Sequence, residues 1–122
     1  MKKFALLMAA TMALGCSQAE PEMPETVAKS FAEAFCNYNF ERAEKYCTEE
    51  GRRILVFKAS NTTQEELDSY NAQTGNVTAE VSDVTLSVDS LARVAVCSSS
   101  GDSFSLELVL REGHWLVKAI SY

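Results

Sequence analysis

From Thr26 onward the apolar residues return every three or four positions: Val27, Phe31, Ala34 and Phe35 share one helical face, and Lys29, Ser30 and Glu33 turn away from it. The spacing predicts an amphipathic helix opening at Glu25 or Thr26. Asn37-Tyr38-Asn39 interrupts the pattern, and Asn39 is placed to cap a second helix in which Phe40, Ala43, Tyr46 and Cys47 recur. Thr48, followed by Glu49 and Glu50, suits the start of a third, because acidic side chains are stabilised in a helix's first turn. Its body, Arg52 to Ala59, carries Ile54, Leu55, Val56 and Phe57 in succession. We read it as helix, although adjacent apolar residues also suit a buried strand. Thr63-Gln64-Glu65-Glu66 has capping-box spacing and opens a last helical turn through Leu67 to Tyr70.

The period then changes to two. Val77, Ala79 and Val81 alternate, and Val84, Leu86 and Val88 alternate one step out of phase, which predicts a long strand with a bulge near Ser82-Asp83. After a turn at Asp89-Ser90, Ala92 to Cys97 is strand, Ser98 to Asp102 is a hairpin loop, and Phe104, Leu106, Leu108 and Leu110 line one face of the next strand. Glu112-Gly113 makes the last tight turn. In the closing strand, Trp115, Val117 and Ala119 fall on one face and Leu116 and Ile120 on the other, the pattern of a central or doubly covered strand. Helices followed by four antiparallel strands give an α+β fold, with N-terminal helices packed on a curved four-stranded sheet.

The first residues follow a different logic. Lys2 and Lys3 precede an apolar run from Phe4 to Leu14, and Gly15 stands before Cys16. The eleven residues of that run fall short of the ~20 needed to span a bilayer, which excludes a transmembrane helix. Ala13-Leu14-Gly15-Cys16 resembles the lipobox of bacterial lipoproteins, in which the cysteine sulfur is acylated and the bond before it is cut. An ordinary cleaved secretory signal is the alternative. The resemblance implies cleavage between Gly15 and Cys16, lipidation of Cys16, a tether over 16–25 and a domain over 26–122. It places the mature chain in the cell envelope, bound to the membrane by its lipid. Ser17, rather than an aspartate, follows Cys16, which resembles the signal for delivery to the outer membrane.

The whole chain carries a net charge of −6, and losing Lys2 and Lys3 takes the mature protein to about −8. With no basic cluster beyond Arg52-Arg53, nucleic acid is excluded as a partner. Three cysteines remain after Cys16: Cys36, Cys47 and Cys97. In an oxidising compartment one bridge and one spare thiol are expected. A Cys47–Cys97 bridge is favoured because it closes the longer loop and ties helices to strands, with three buried thiols as the alternative. Neither metal-ligand spacing nor a cofactor motif is present.

Val27-Ala28-Lys29-Ser30-Phe31, the Phe40-Glu41-Arg42-Ala43 and Tyr46-Cys47-Thr48 runs, and Glu112-Gly113-His114-Trp115-Leu116-Val117 resemble the nuclear transport factor 2-like (cystatin-like) superfamily. Within it, the chain is similar to small bacterial lipoproteins grouped as a lumazine-binding-like domain family of unknown function. The resemblance implies a cone with a pocket between helices and concave sheet. Phe31, Phe35, Tyr46, Phe57 and Trp115 would line that pocket or fill the core, two roles that sequence does not separate. The function expected is a non-enzymatic binding or accessory domain for a small apolar ligand or a protein partner, with the sheet as a homodimer surface. The alternative is a small isomerase- or dehydratase-like enzyme, which would need a buried acid or base. The single histidine, His114, follows Gly113 in a turn and reads as a solvated strand start.

Overall fold

The protein is described by a computed structural model covering residues 22–73, 75–88 and 90–122. Gly15, Cys16 and the rest of the signal lie outside the described residues, as do most of the tether and Asp89. Four helices, α1 (Pro24–Cys36), α2 (Phe40–Glu44), α3 (Arg52–Asn61) and α4 (Gln64–Ala72), precede four strands, β1 (Ala79–Leu86), β2 (Leu91–Ser98), β3 (Ser103–Arg111) and β4 (His114–Ser121). The strands form one open antiparallel sheet in the order β1-β2-β3-β4. The fold is α+β, with N-terminal helices packed on a four-stranded antiparallel sheet.

Helix α1 lies across the inner face of the sheet and touches all four strands. Val27, Ala28, Phe31, Ala32, Ala34 and Phe35 are buried there against Val94, Val96, Phe104, Leu106, Leu108, Trp115 and Val117. Removing each large apolar side chain from water stabilises the fold by about 1.5–3 kcal/mol. The helix begins at Pro24, two residues earlier than Thr26, because proline at the first helical position has no N–H to leave unpaired. It ends with Tyr38 at φ 59°, while Asn39 N–H donates to Ala34 O at 2.8 Å and Tyr38 N–H to Phe35 O at 3.2 Å. This closes the helix in the Schellman manner, with a tyrosine where glycine is usual.

Two of the expected caps form: Asn39 accepts from Arg42 N, and Thr63 and Glu66 make a reciprocal capping box. The third is corrected, since α3 starts at Arg52 with Gly51 at its N-cap and no acidic residue in its first turn, while Thr48 Oγ1 accepts from Gly51 N at 2.9 Å in the turn before it. Helix α2 is shorter than expected, and Tyr46 to Thr48 instead runs beside β4. Val117 N–H donates to Tyr46 O at 2.7 Å and Thr48 N–H to Val117 O at 2.9 Å. This bridge covers part of an exposed sheet edge, for β4 is the edge strand rather than a central one. Gly51 is required by that approach, since a Cβ there would run into the Val117 carbonyl.

Two bulges set the sheet's faces. In β1 the register shifts between Val81 and Asp83, as the phase change at Ser82 indicates, so Val81 and Val84 both face inward opposite Val96 and Val94. In β4 a second shift pairs Val117 with Leu108 but Ala119 with Glu107 and Ile120 with Leu106. Lys118 is the extra residue, and the expected faces are thereby corrected: Ile120 joins Trp115 and Val117 inside, and Ala119 turns out. Glu112 and Gly113 both have positive φ, 52° and 82°, the twist a two-residue hairpin requires.

Candidate functional site

The open end of the domain lies where the C-terminal half of α1, helices α3 and α4, the β2–β3 loop and the chain's last residues approach without closing. Two adjoining cavities occupy it. One, of about 510 Å³, is walled by Phe35, Ile54, Phe57, Ile120 and Tyr122 and edged by Arg53, Lys58, Asn61, Thr62 and Glu66. The other, of about 550 Å³, is more polar, with Tyr38, Tyr70 and Phe104 beside Cys36, Glu65 and Asp102. Phe35, Lys58, Glu66 and Tyr122 line both, which makes the pair one divided cleft.

Helical spacing on α3 builds the first wall. Arg53, Ile54, Phe57, Lys58 and Asn61 recur at intervals of one, three and four and so share a face. Lys58 Nζ sits 5.1 Å from the Phe35 ring centroid and 5.3 Å from that of Tyr38, within cation–π range. Phe35 stacks with Phe31 at 5.6 Å and meets Phe104 edge-on at 6.0 Å, which carries the aromatic wall into the core.

The far wall is held by Asn37. Its Nδ2 donates to Glu33 O at 2.7 Å and Val77 O at 2.8 Å, and its Oδ1 accepts from Tyr70 OH at 2.7 Å and Val77 N at 2.9 Å. The side-chain amide thus acts as a piece of strand backbone, joining α1, α4 and the approach to β1 with every donor and both acceptor positions used. Glu33 Oε2 adds a bond from Ala79 N at 3.1 Å.

The ionisable groups of the cleft that depart from their ordinary values are thiols and phenols, all displaced upward. Burial, reinforced by Asp102, pushes the Cys36 thiol up to about 11. Burial also raises Tyr38, with Glu66 and Asp102 adding to it. Each is held protonated near neutral pH, the form of a hydrogen-bonding wall rather than of a nucleophile or base. The carboxylates Glu65, Glu66 and Asp102 stand at the rim in contact with solvent.

The five aromatic residues expected to line the pocket or fill the core divide between those roles, with Phe31, Phe35 and Trp115 buried in the core. Phe35 and Phe57 belong to the cleft, and Phe57 is its 70 % exposed rim. Phe31 is fully buried core. Tyr46 and Trp115 lie in a separate surface depression with Glu22 and His114. There Glu22 Oε1 accepts from Trp115 N at 2.7 Å and stands 3.6 Å from His114 Nδ1, so the end of the expected tether is docked on β4. His114 is 71 % exposed at its side chain, consistent with a strand start.

The expected Cys47–Cys97 bridge is corrected. All three cysteines are free. Cys47 is buried on the helical side of the sheet, its Sγ donating to Ala43 O, whereas Cys97 is exposed on the outer face beside Ser103 Oγ. Strand alternation puts Val96 and Ser98 inside and therefore Cys97 outside, with a sheet between the two sulfurs. Among the described residues, no cluster of His, Cys, Asp and Glu side chains is placed to hold a metal ion.

Lys58 and Asn37 carry no functional expectation from sequence, and Tyr70 and Tyr122 show no partner there for a proton relay. For Lys58 a signal exists, its place one turn after Ile54 and beside Phe57. For Asn37 none does, because its partners are 33 and 40 residues away. No protein-family model matches this chain, and no curated protein matches it.

Proposed function

We propose that this protein is a lipid-anchored, extracytoplasmic binding module that holds a small, largely apolar ligand in the cleft between α3, α4 and the end of the sheet. The observation that carries this reading is the cleft itself: a concave, aromatic and aliphatic wall with a few polar groups at its edge, the usual composition of a small-molecule site. Its open shape is compatible with the cone of the nuclear transport factor 2-like superfamily, the finer fold reading that this proposal adopts. The Cys16 anchor would keep the module on the outer membrane, with its Pro21- and Glu-containing tether leading to α1.

Native mass spectrometry of the protein extracted from its own cells tests the reading. A small molecule is expected to co-purify with the wild-type chain and to be lost from Phe57→Ala, whose exposed position leaves the fold intact. Recovery of ligand-free protein together with failure to take up any apolar probe overturns it. Labelling with radioactive palmitate, abolished by Cys16→Ala, tests the anchor.

A further inference from the structure

The more apolar half of the cleft carries two basic side chains whose charge is unspent. Among the described residues, neither Arg53 nor Lys58 has a carboxylate within 4.0 Å, although acids outnumber bases 17 to 11 in this chain. Nor does either side chain donate a hydrogen bond to another described residue, so three ammonium and five guanidinium N–H donors are available. Ring faces hold the Lys58 ammonium in place through Phe35 and Tyr38 without neutralising it. The one carboxylate side chain lining this half, Glu66, is engaged elsewhere: its Oε1 accepts from Thr63 N at 2.8 Å and lies 3.3 Å from Thr63 Oγ1. Glu65 and Asp102 line the adjoining cavity. The wall between these cations is Phe35, Ile54, Ile120 and the exposed rings of Phe57 and Tyr122, the latter 83 % exposed.

From this juxtaposition we infer that the ligand is an apolar monoanion: an aromatic or aliphatic body laid on Phe35, Ile54, Phe57, Ile120 and Tyr122, with a carboxylate-like head held by Lys58 and Arg53. The inference rests on the binding function proposed above and names the chemistry of that site. The net negative charge of the protein repels an anion in general, so that binding here depends on the local attraction of these two cations beside the apolar wall. The same arrangement disfavours an amine of equal size, whose head would lie against Lys58.

The test uses the full chain with Cys16→Ser, which prevents acylation, and three probes with one ring system: 2-naphthoate, 2-naphthalenemethanol and 2-naphthylmethylammonium. Titration calorimetry is expected to rank naphthoate first. Lys58→Gln should weaken naphthoate by about tenfold or more while leaving the alcohol unchanged, and Lys58→Arg should restore it. Arg53→Gln, at an exposed site, provides a second variant independent of packing near the rings. Equal affinity for alcohol and naphthoate, or preference for the ammonium, overturns the inference while leaving the binding function standing. Failure of all three probes overturns both.

Discussion

Helix α1 and the sheet beneath it are joined by continuous apolar packing, with Phe31, Val94, Leu106, Leu108 and Val117 out of contact with water. Helix α4 buries none of its residues. It is held by a self-contained capping box, one tyrosine hydroxyl on Asn37 and the edge-on contact of the Tyr70 and Tyr38 rings, 5.1 Å apart. Between these extremes α3 inserts Leu55 and leaves Val56 and Phe57 in solvent. One region is therefore secured by area removed from water, which is non-directional and cooperative, and the other by a few directional bonds and a single ring contact, which can open singly. The cleft lies on the boundary, one wall rigid and one wall lightly held, a favourable arrangement for admitting a ligand.

The comparison is broken most directly from the packed side. Phe31→Ala should cost about 3–5 kcal/mol, read by chemical denaturation, because the surrounding helix and strands cannot collapse fully into the void. Gly51→Ala should cost about 1–3 kcal/mol, by pushing the Tyr46–Thr48 segment off Val117 O and uncovering the edge of β4. Asn37→Ala should cost about 1–3 kcal/mol and also release α4, since it strands the Val77 amide and carbonyl. Tyr70→Phe separates the two regions most cleanly. Amide exchange should quicken in α4 with a global loss of only about 0.5–1.5 kcal/mol. If denaturation of Tyr70→Phe is as damaging as that of Phe31→Ala, the two halves are one cooperative unit.

Alkaline pH gives a further contrast. Burial raises Cys47 to about 12 and Cys36 to about 11 from an ordinary 9.0. A thiol kept protonated in the folded state contributes stability that is fully present below pH 9. Above it the unfolded chain ionises first, so stability falls from pH 9 toward the folded values of 11 and 12. Denaturation midpoints should decline over that interval, and Cys47→Ala should flatten the decline. Wild-type modification by iodoacetamide at pH 8 should begin at exposed Cys97.

Much of the architecture is written locally. Asn39 and Thr63 act as caps because each needs a partner only three residues ahead. The bulge at Ser82 is visible because the apolar phase changes on either side of it. The bulge at Lys118 is not, since Lys118-Ala119-Ile120 reads equally well in either phase until Leu106 claims Ile120. Of the cleft, Phe35 and Phe57 were legible as large rings on helical faces, but so were Phe31 and Trp115, which lie elsewhere.

The sequence by itself determined the helix-then-strand order, the turns, the strand alternation and the acidic charge, all properties of neighbouring residues and of composition. Tertiary structure decided that β4 is an edge closed by Tyr46–Thr48, that Cys47 and Cys97 lie on opposite faces of the sheet, and that Glu22 docks on Trp115. It also decided that Lys58 and Arg53 meet an apolar wall drawn from α1, α3 and the chain's last residues. Such meetings join residues dozens of positions apart, and loop closure gives them no periodic trace in the chain.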